Sequence, residues 1–511
     1  GNVNTNGALD ITSTGGNISQ TPDTSVQSLG TTALNAGSND VLLGNAANNF
    51  GGPVTLTAND ATLADGTGGI VLGNVNTNGA LDITSTGGNI SQTPDTSVQS
   101  TGTTNLNAGS NDVLLGNAAN NFAGPVTLTA NDATLADGTG GIVLGNVNTN
   151  GALDITSTGG NISQTPDTSV QSLGTTALNA GSNDVLLGNA ANNFGGPVTL
   201  TANDATLADG TGGIILGNVN TNGALDITST GGDISQTKGT RVQSIGSTTL
   251  NAGSDDILLG NDANNFGGPV NLTANKATLD DKVGGIVLGN VNTNGTLRIN
   301  STGGDITQTS DGIINANGEV KLNAFNNDII LTNDNNFNKA VGALGGFISL
   351  TDAKDGLILG EIASSKGLTV VSKGGDITQK PVTKIVDLGT TSLSATNSGQ
   401  RANIDLQNEK NDFTKINVSG DIVTITDMNG LEQDVIDATE FHLNTSSDDL
   451  SSLYDVIRSG VLVTQAPVST SANSTVNSDI KTTKDDSVIS VGTGSETVTK
   501  QQEHEVIFYV K

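Results

Sequence analysis

The peptide GALDITSTGGNISQT, residues 7–21, returns five times, beginning at Gly79, Gly151, Gly223, Gly295 and Gly367, so successive copies start 72 residues apart. Three of the returns are nearly unchanged; the last two read GTLRINSTGGDITQT and GLTVVSKGGDITQK. A chain built this way folds as one supersecondary unit used repeatedly, each copy burying its apolar side against the next. Faithful repetition also argues against a single special active site, because whatever one unit displays, its neighbours display too.

Within the peptide Leu9 and Ile11 are apolar, Asp10 and Thr12 are polar, and Gly15 and Gly16 interrupt before Asn17, Ile18 and Ser19 resume an extended pattern. Period-two alternation broken by a tight turn predicts two short strands, each burying one face. The internal copies support the assignment. The Leu9 position is leucine throughout, to Leu297 and Leu368, and the Ile18 position is isoleucine to Ile306 and Ile377, as inward side chains would be. The Asp10 position drifts to Arg298 and Thr369, which an outward, solvated site absorbs. Gly16 keeps its identity to Gly304 and Gly375, the mark of a positive φ or a close backbone approach.

One unit divides into three similar turns, residues 8–31, 32–53 and 54–79, opening on LDIT, ALNA and VTLT. Each then gives a second strand (NIS, DVLL, GIVL) and a third extended piece (SVQS, NNF, NVNT). The apolar register supports this, since Ala33 becomes Asn105 and Thr249 while Leu34 stays Leu106 and Leu250. Three short strands per turn with no core of their own predict an all-β, right-handed parallel β-helix. Six units of three turns predict about eighteen coils over residues 1–430, roughly 85 Å at the strand spacing within a sheet. A helical reading fails, because the 3.6-residue period is absent and Gly, Asn and Thr are abundant.

Beyond residue 430 the composition shifts. Residues 431–465 are expected to cap the solenoid with one short helix over residues 447–460, where Leu450, Leu453, Tyr454 and Ile457 share a face, Ser447 caps and Gly460 follows. Residues 466–511 form a Ser/Thr-rich tail that ends in the strand-prone segment EVIFYVK from Glu505.

The net charge is -30, and neither Lys nor Arg occurs before Lys238. Such a field repels nucleic acid and anionic membranes and keeps a concentrated extracellular protein soluble. With no cysteine there are no disulfides and no thiolate metal sites. A Cys-free chain rich in Asn, Thr and Gly suits export to a bacterial surface, and no apolar run reaches membrane-spanning length. The start at Gly1, in mid-repeat, reads as a portion of a longer protein.

Catalytic and cofactor chemistry finds no support in the residue pattern, so no catalytic, cofactor or metal residue is assigned and no enzyme activity is expected. His442 and His504 stand outside the repeats without partners at metal-ligand spacing. Asp60 and Asp65 could pair as acid and base, but they recur as Asp132 with Asp137 and Asp204 with Asp209, which fits a solvated turn better. GSNDVLLGN, residues 37–45, is a weak likeness of the calcium nonapeptide, which recurs every nine residues whereas this one recurs every 72; weak calcium binding by the acidic turns stays open. The outward pair Thr55 and Thr57 resembles the Thr-x-Thr rows of ice-binding solenoids but is missing from the LDIT and ALNA turns. Asn48, Asn49 and Phe50, recurring to Asn335–Phe337 and as Asn411, Asp412 and Phe413, are expected to fill a core corner and satisfy turn backbone, with Gln20 serving another corner.

The pattern carried by Leu9, Ile11, Ser13, Gly15, Gly16 and Ile18 resembles the coils of filamentous-haemagglutinin-like exoproteins of the two-partner secretion type, over residues 1–430. The resemblance implies export through an outer-membrane partner barrel and a role in adhesion, aggregation or biofilm matrix. The expected function is a secreted structural rod or adhesin, its repeats a spacer, whose partners are other copies of itself or cell-surface and matrix glycans or proteins. The alternative is a self-assembling subunit of a filament, sheath or surface layer, joined end to end through the C-terminal strand. A polysaccharide-active enzyme is the remote third reading.

Overall fold

The computed structural model describes residues 1–445 throughout and, beyond them, the backbone of the strands Leu462–Gln465, Asn477–Lys481, Ser490–Gly494 and Val506–Tyr509. The expected helix over residues 447–460 lies outside the described residues. Two compact units divide the chain, Gly1–Gly268 and Pro269–Lys511, and through residue 445 the described residues of each form a stack of parallel β coils. Among the described residues there is no α-helix.

Alternation sets the core. Along Leu153–Ser157, Leu153, Ile155 and Ser157 are buried while Asp154 is exposed, and Leu225–Ser229 and Leu297–Ser301 repeat the pattern. Ile90, Ile162, Ile234, Ile306 and Ile377 are all 0% exposed, as the inward column requires. Each such side chain contributes roughly 1.5–3 kcal/mol by leaving water, and it does so only because the coils above and below cover it. The Asp10 position faces outward, as expected.

The turns are shorter than the three-turn division supposes. Leu81 pairs with Thr104, 23 residues on, Thr104 with Val126, 22 on, Leu128 with Val147, 19 on, and Ala133 with Leu153, 20 on. LDIT, ALNA and VTLT do stack on one another, but VTLT is followed on its face by NVNT and not by the next LDIT. The strand Ile142–Thr149 explains the difference. Its first half pairs with Ile162–Gln164 and its second half with Val170–Ser172, so one continuous strand turns a corner and serves two faces. A unit therefore supplies ten strand segments, all but the short Asn-Phe segment pairing with the third one along, and with three segments to a turn it completes three and a third turns. Among the described residues the solenoid makes about 22 turns, not eighteen.

A geometric consequence follows within the first body. Leu81, Leu153 and Leu225, identical in sequence context, lie on three different faces, each copy one face further round than the last. Three units, or ten turns, return a copy to its starting face.

The glycine pair of the repeat is a matter of close approach. A Cβ added at Gly88 would lie 2.8 Å from the carbonyl carbon of Gly68 in the coil beneath, and Gly68 itself has φ of 96°. Only glycine fits both members of that contact.

In the second body several strands run on through the corners, among them Leu357–Ser372 and Asp412–Asp427. The parallel ladder does not stop at Gly430: Glu432–Thr445 continues it, pairing Lys415 with Glu432 through to Asp427 with Thr445. On that last coil Val506–Tyr509 lies antiparallel, Glu440 opposite Tyr509 and Leu443 opposite Val506, and Leu462–Gln465 pairs antiparallel on its other side. The described cover of the final coil is thus a strand.

Candidate functional site

Two kinds of polar arrangement stand out, one in every unit and one confined to the second body. The first is internal. Gln20 Nε2 donates to Asn48 Oδ1 at 2.6 Å, and Asn48 Nδ2 donates back to Gln20 Oε1 at 3.1 Å. Asn48 also donates to the Leu43 carbonyl at 2.9 Å and accepts the Val26 N–H at 2.8 Å, so one buried amide satisfies groups on successive turns. The exchange recurs from Gln92 with Asn120 to Gln379 with Asn411. Phe50, Phe122, Phe194, Phe266, Phe337 and Phe413 beside these amides are at most 1% exposed, the core corner expected of them.

Asp65 is not in a solvated turn. It is 1% exposed, its Oδ2 accepts the Phe50 N–H at 2.7 Å, and its Oδ1 accepts the Thr67 N–H at 2.7 Å. Asp137, Asp209, Asp352 and Asp427 repeat the arrangement with Phe122, Phe194, Phe337 and Phe413. Burial pushes these carboxyls above the ordinary carboxylate range against the pull of the donated N–H groups, and Asp352 reaches about 6. The sequence did carry the signal: the position is Asp in all six units (Asp65, Asp137, Asp209, Asp281, Asp352, Asp427), while Asp10's position drifts.

Asp60, paired with Asp65 in the sequence reading, acts separately, accepting the Ala80 N–H at 2.8 Å. Both are bonded to backbone in the manner of corner staples. Asp40, in the nonapeptide-like stretch, accepts Asn59 Nδ2 and the Asp60 N–H, each at 3.2 Å, and these donors hold its carboxyl below the usual value. Among the described residues no three His, Cys, Asp or Glu side chains converge as a metal site. His442 Nε2 lies 2.8 Å from Glu440 Oε1 on the last coil, and His504 lies outside the described residues.

The second arrangement is a groove of about 490 Å³ on the second body. Its rim carries Arg298, Lys321, Lys380 and Lys384 with Glu319 and Glu361. Arg298 and Lys321 are neighbours across one ladder, and Lys321 pairs with Gly342 on the next coil. Glu319 forms an ion pair with Lys380 and a longer one, 3.9 Å, with Lys321.

The groove exists because a side chain is missing. In the first body a threonine of VTLT lies over the glycine of the next coil: a Cβ on Gly73 would come 2.8 Å from Thr55, one on Gly145 2.8 Å from Thr127, and one on Gly217 2.7 Å from Thr199. Asn271 lies over Gly289 in the same way. In the following unit both positions are glycine, Gly342 and Gly360, and the strip between Lys321 and Glu361 is left open. The sequence reading missed it, since the pairing of those two glycines depends on the register.

Coils of period-two strands, tied at their corners by half-buried Gln and by buried Asn and Asp, define a tandem-repeat parallel β-solenoid protein. The chain belongs to the family described as repeats of unknown function (DUF5649), whose model matches residues 1–57, 58–129, 130–201, 202–273, 274–343 and 345–419. No curated protein and no solved structure matches the chain.

Proposed function

We propose that this chain is the repeat region of a secreted bacterial surface or matrix protein, filamentous-haemagglutinin-like in its coils, whose solenoid is a spacer and not an enzyme. The observation that carries the reading is the one-third turn left over in each unit. It moves every surface group to a new face from copy to copy, so the first body presents no single decorated side on which a ligand array or a catalytic groove could be built. What each copy adds is length. Export and an extracellular setting are supported by the absence of Cys and the net charge of -30, and an outer-membrane secretion partner follows if the family likeness extends to the route. Other copies of the chain and matrix glycans or proteins are the partners this reading allows.

A series lacking one or two 72-residue units, assayed for cell aggregation and adhesion, tests it. A spacer loses activity in proportion to length, whichever of the first three units is removed. Dependence on one particular unit would contradict the reading.

One observation favours a second reading, self-assembly into a filament, sheath or surface layer. The last coil accepts Val506–Tyr509 as an antiparallel strand, and an edge that takes its own strand can take a neighbour's. Truncation after Gln502, followed by sedimentation, decides: polymers of the full chain that vanish on truncation support exchange, and an unchanged monomer before and after opposes it.

A further inference from the structure

We propose that the groove of the second body binds a carboxylate-bearing oligosaccharide, a stretch of polyuronate. Charge is the first reason. The first body holds two basic residues, Lys238 and Arg241, against twenty Asp and no Glu, yet four cations rim this one groove against two carboxylates. Lys321 and Lys380 share Glu319, whereas Arg298 and Lys384 have no ion-pair partner among the described residues. The planar fork of Arg298 suits a planar carboxylate, which it can meet with two parallel N–H bonds.

The floor is the second reason. Gly342, Gly360, Ala340 and Ala363 expose little but backbone and methyl groups, and Leu344 is 43% exposed beside them. A sugar ring has a C–H face that rests on such a surface and hydroxyls that Glu361 and Thr383 can bond. No aromatic side chain lines the groove to stack a base, which separates it from a single-stranded nucleic acid site. The volume falls within the roughly 300–1,000 Å³ of small-ligand sites.

The third reason is how the opening arises. Every preceding unit closes this position with Thr or Asn over Gly, and the unit that opens it is also the first to place Arg298, Lys321 and Glu319 around it. The space and the charge appear together.

Calorimetric titration of the full chain with a galacturonate hexamer, cellohexaose and a heparin-derived hexamer tests the proposal. Saturable binding of the galacturonate hexamer is expected, with none for cellohexaose and weaker binding of the sulfated chain. Gly342→Thr, which restores the side chain of the earlier units, should weaken binding at least fivefold. Arg298→Gln with Lys384→Gln, both exposed, should weaken it at least tenfold. No saturable uronate binding, equal binding of cellohexaose, tighter binding of the sulfated hexamer, or unchanged affinity in the double variant would overturn it. The proposal deepens the spacer reading by adding a ligand to it, and its failure would leave the unit-deletion series unaffected.

Discussion

Asp65 accepts the backbone N–H of Phe50 at 2.7 Å, and both residues are 1% exposed. The carboxylate does for the coil what a turn of backbone cannot, since the strand at Asn49–Phe50 is only two residues long and leaves an N–H facing the core. Replacing the equivalent Asp137 by Ala should therefore cost about 3 kcal/mol, because the N–H groups of Phe122 and Thr139 lose a charged acceptor in the interior. Urea unfolding of Asp137→Ala against the parent measures it, and a loss below about 0.5 kcal/mol would deny the carboxylate its structural part.

Ile162 is 0% exposed and Asp154, eight residues earlier, faces solvent. Ile162→Asp buries a carboxylate with no partner and should unfold the surrounding coils, lowering the melting temperature by many degrees. Asp154→Lys should change it little. Equal damage from the two would mean that the inward and outward columns are wrongly assigned.

The buried carboxyls also set a pH dependence. Their folded-state pKa is raised by burial, to about 6 at Asp352, so between pH 4 and 6 the folded chain holds protons that the unfolded chain releases. Stability should accordingly fall as pH rises through that window and level off above it. Glu319 and Asp328 act in the opposite sense, their carboxyls lowered by Lys380 and by the Phe347 N–H, and their contribution is lost only on further acidification, below the ordinary carboxylate range. A melting temperature higher at pH 5 than at pH 7.5 is expected, with a smaller difference in Asp352→Asn. A lower value at pH 5 would contradict the direction.

Thr104 shows an uncompensated cost. Its Oγ1 is buried without a hydrogen-bond partner, as are those of Thr32, Thr176 and Thr248, and the fifth unit carries Val320 at the same position. Thr104→Val keeps the shape and removes the stranded hydroxyl, so it should stabilise by about 1 kcal/mol. Destabilisation in denaturant melts would show that the hydroxyl is satisfied in solution.

Much of this was legible in the chain itself. The alternation of Leu9, Asp10 and Ile11 gives the strands, and the constancy of Ile18, Gln20 and Phe50 among copies marks the core and its amide corner. The turn length was not legible, because Ile142–Thr149 rounds a corner as one strand, with only Gly145 and Asn146 at the bend, and reads as two pieces closing one long turn. By its polarity Asp65 reads as a surface residue, whereas its constancy among copies is the mark of its burial. The groove could not be seen at all, as Gly342 and Gly360 are unremarkable until the register sets one over the other.

That register is open to a direct test, and the absence of cysteine leaves a clean background. Thr134 and Asp154 are adjacent on neighbouring coils, whereas three whole turns per unit would place Asp154 beside Thr127. Adjacent strands lie about 4.8 Å apart, within the span of a disulfide, about 4.4–6.8 Å between Cα atoms. Mild oxidation should link Thr134→Cys to Asp154→Cys in nearly every molecule and leave Thr127→Cys with Asp154→Cys as free thiols. The reverse, a link from position 127 and none from position 134, would contradict three and a third turns per unit.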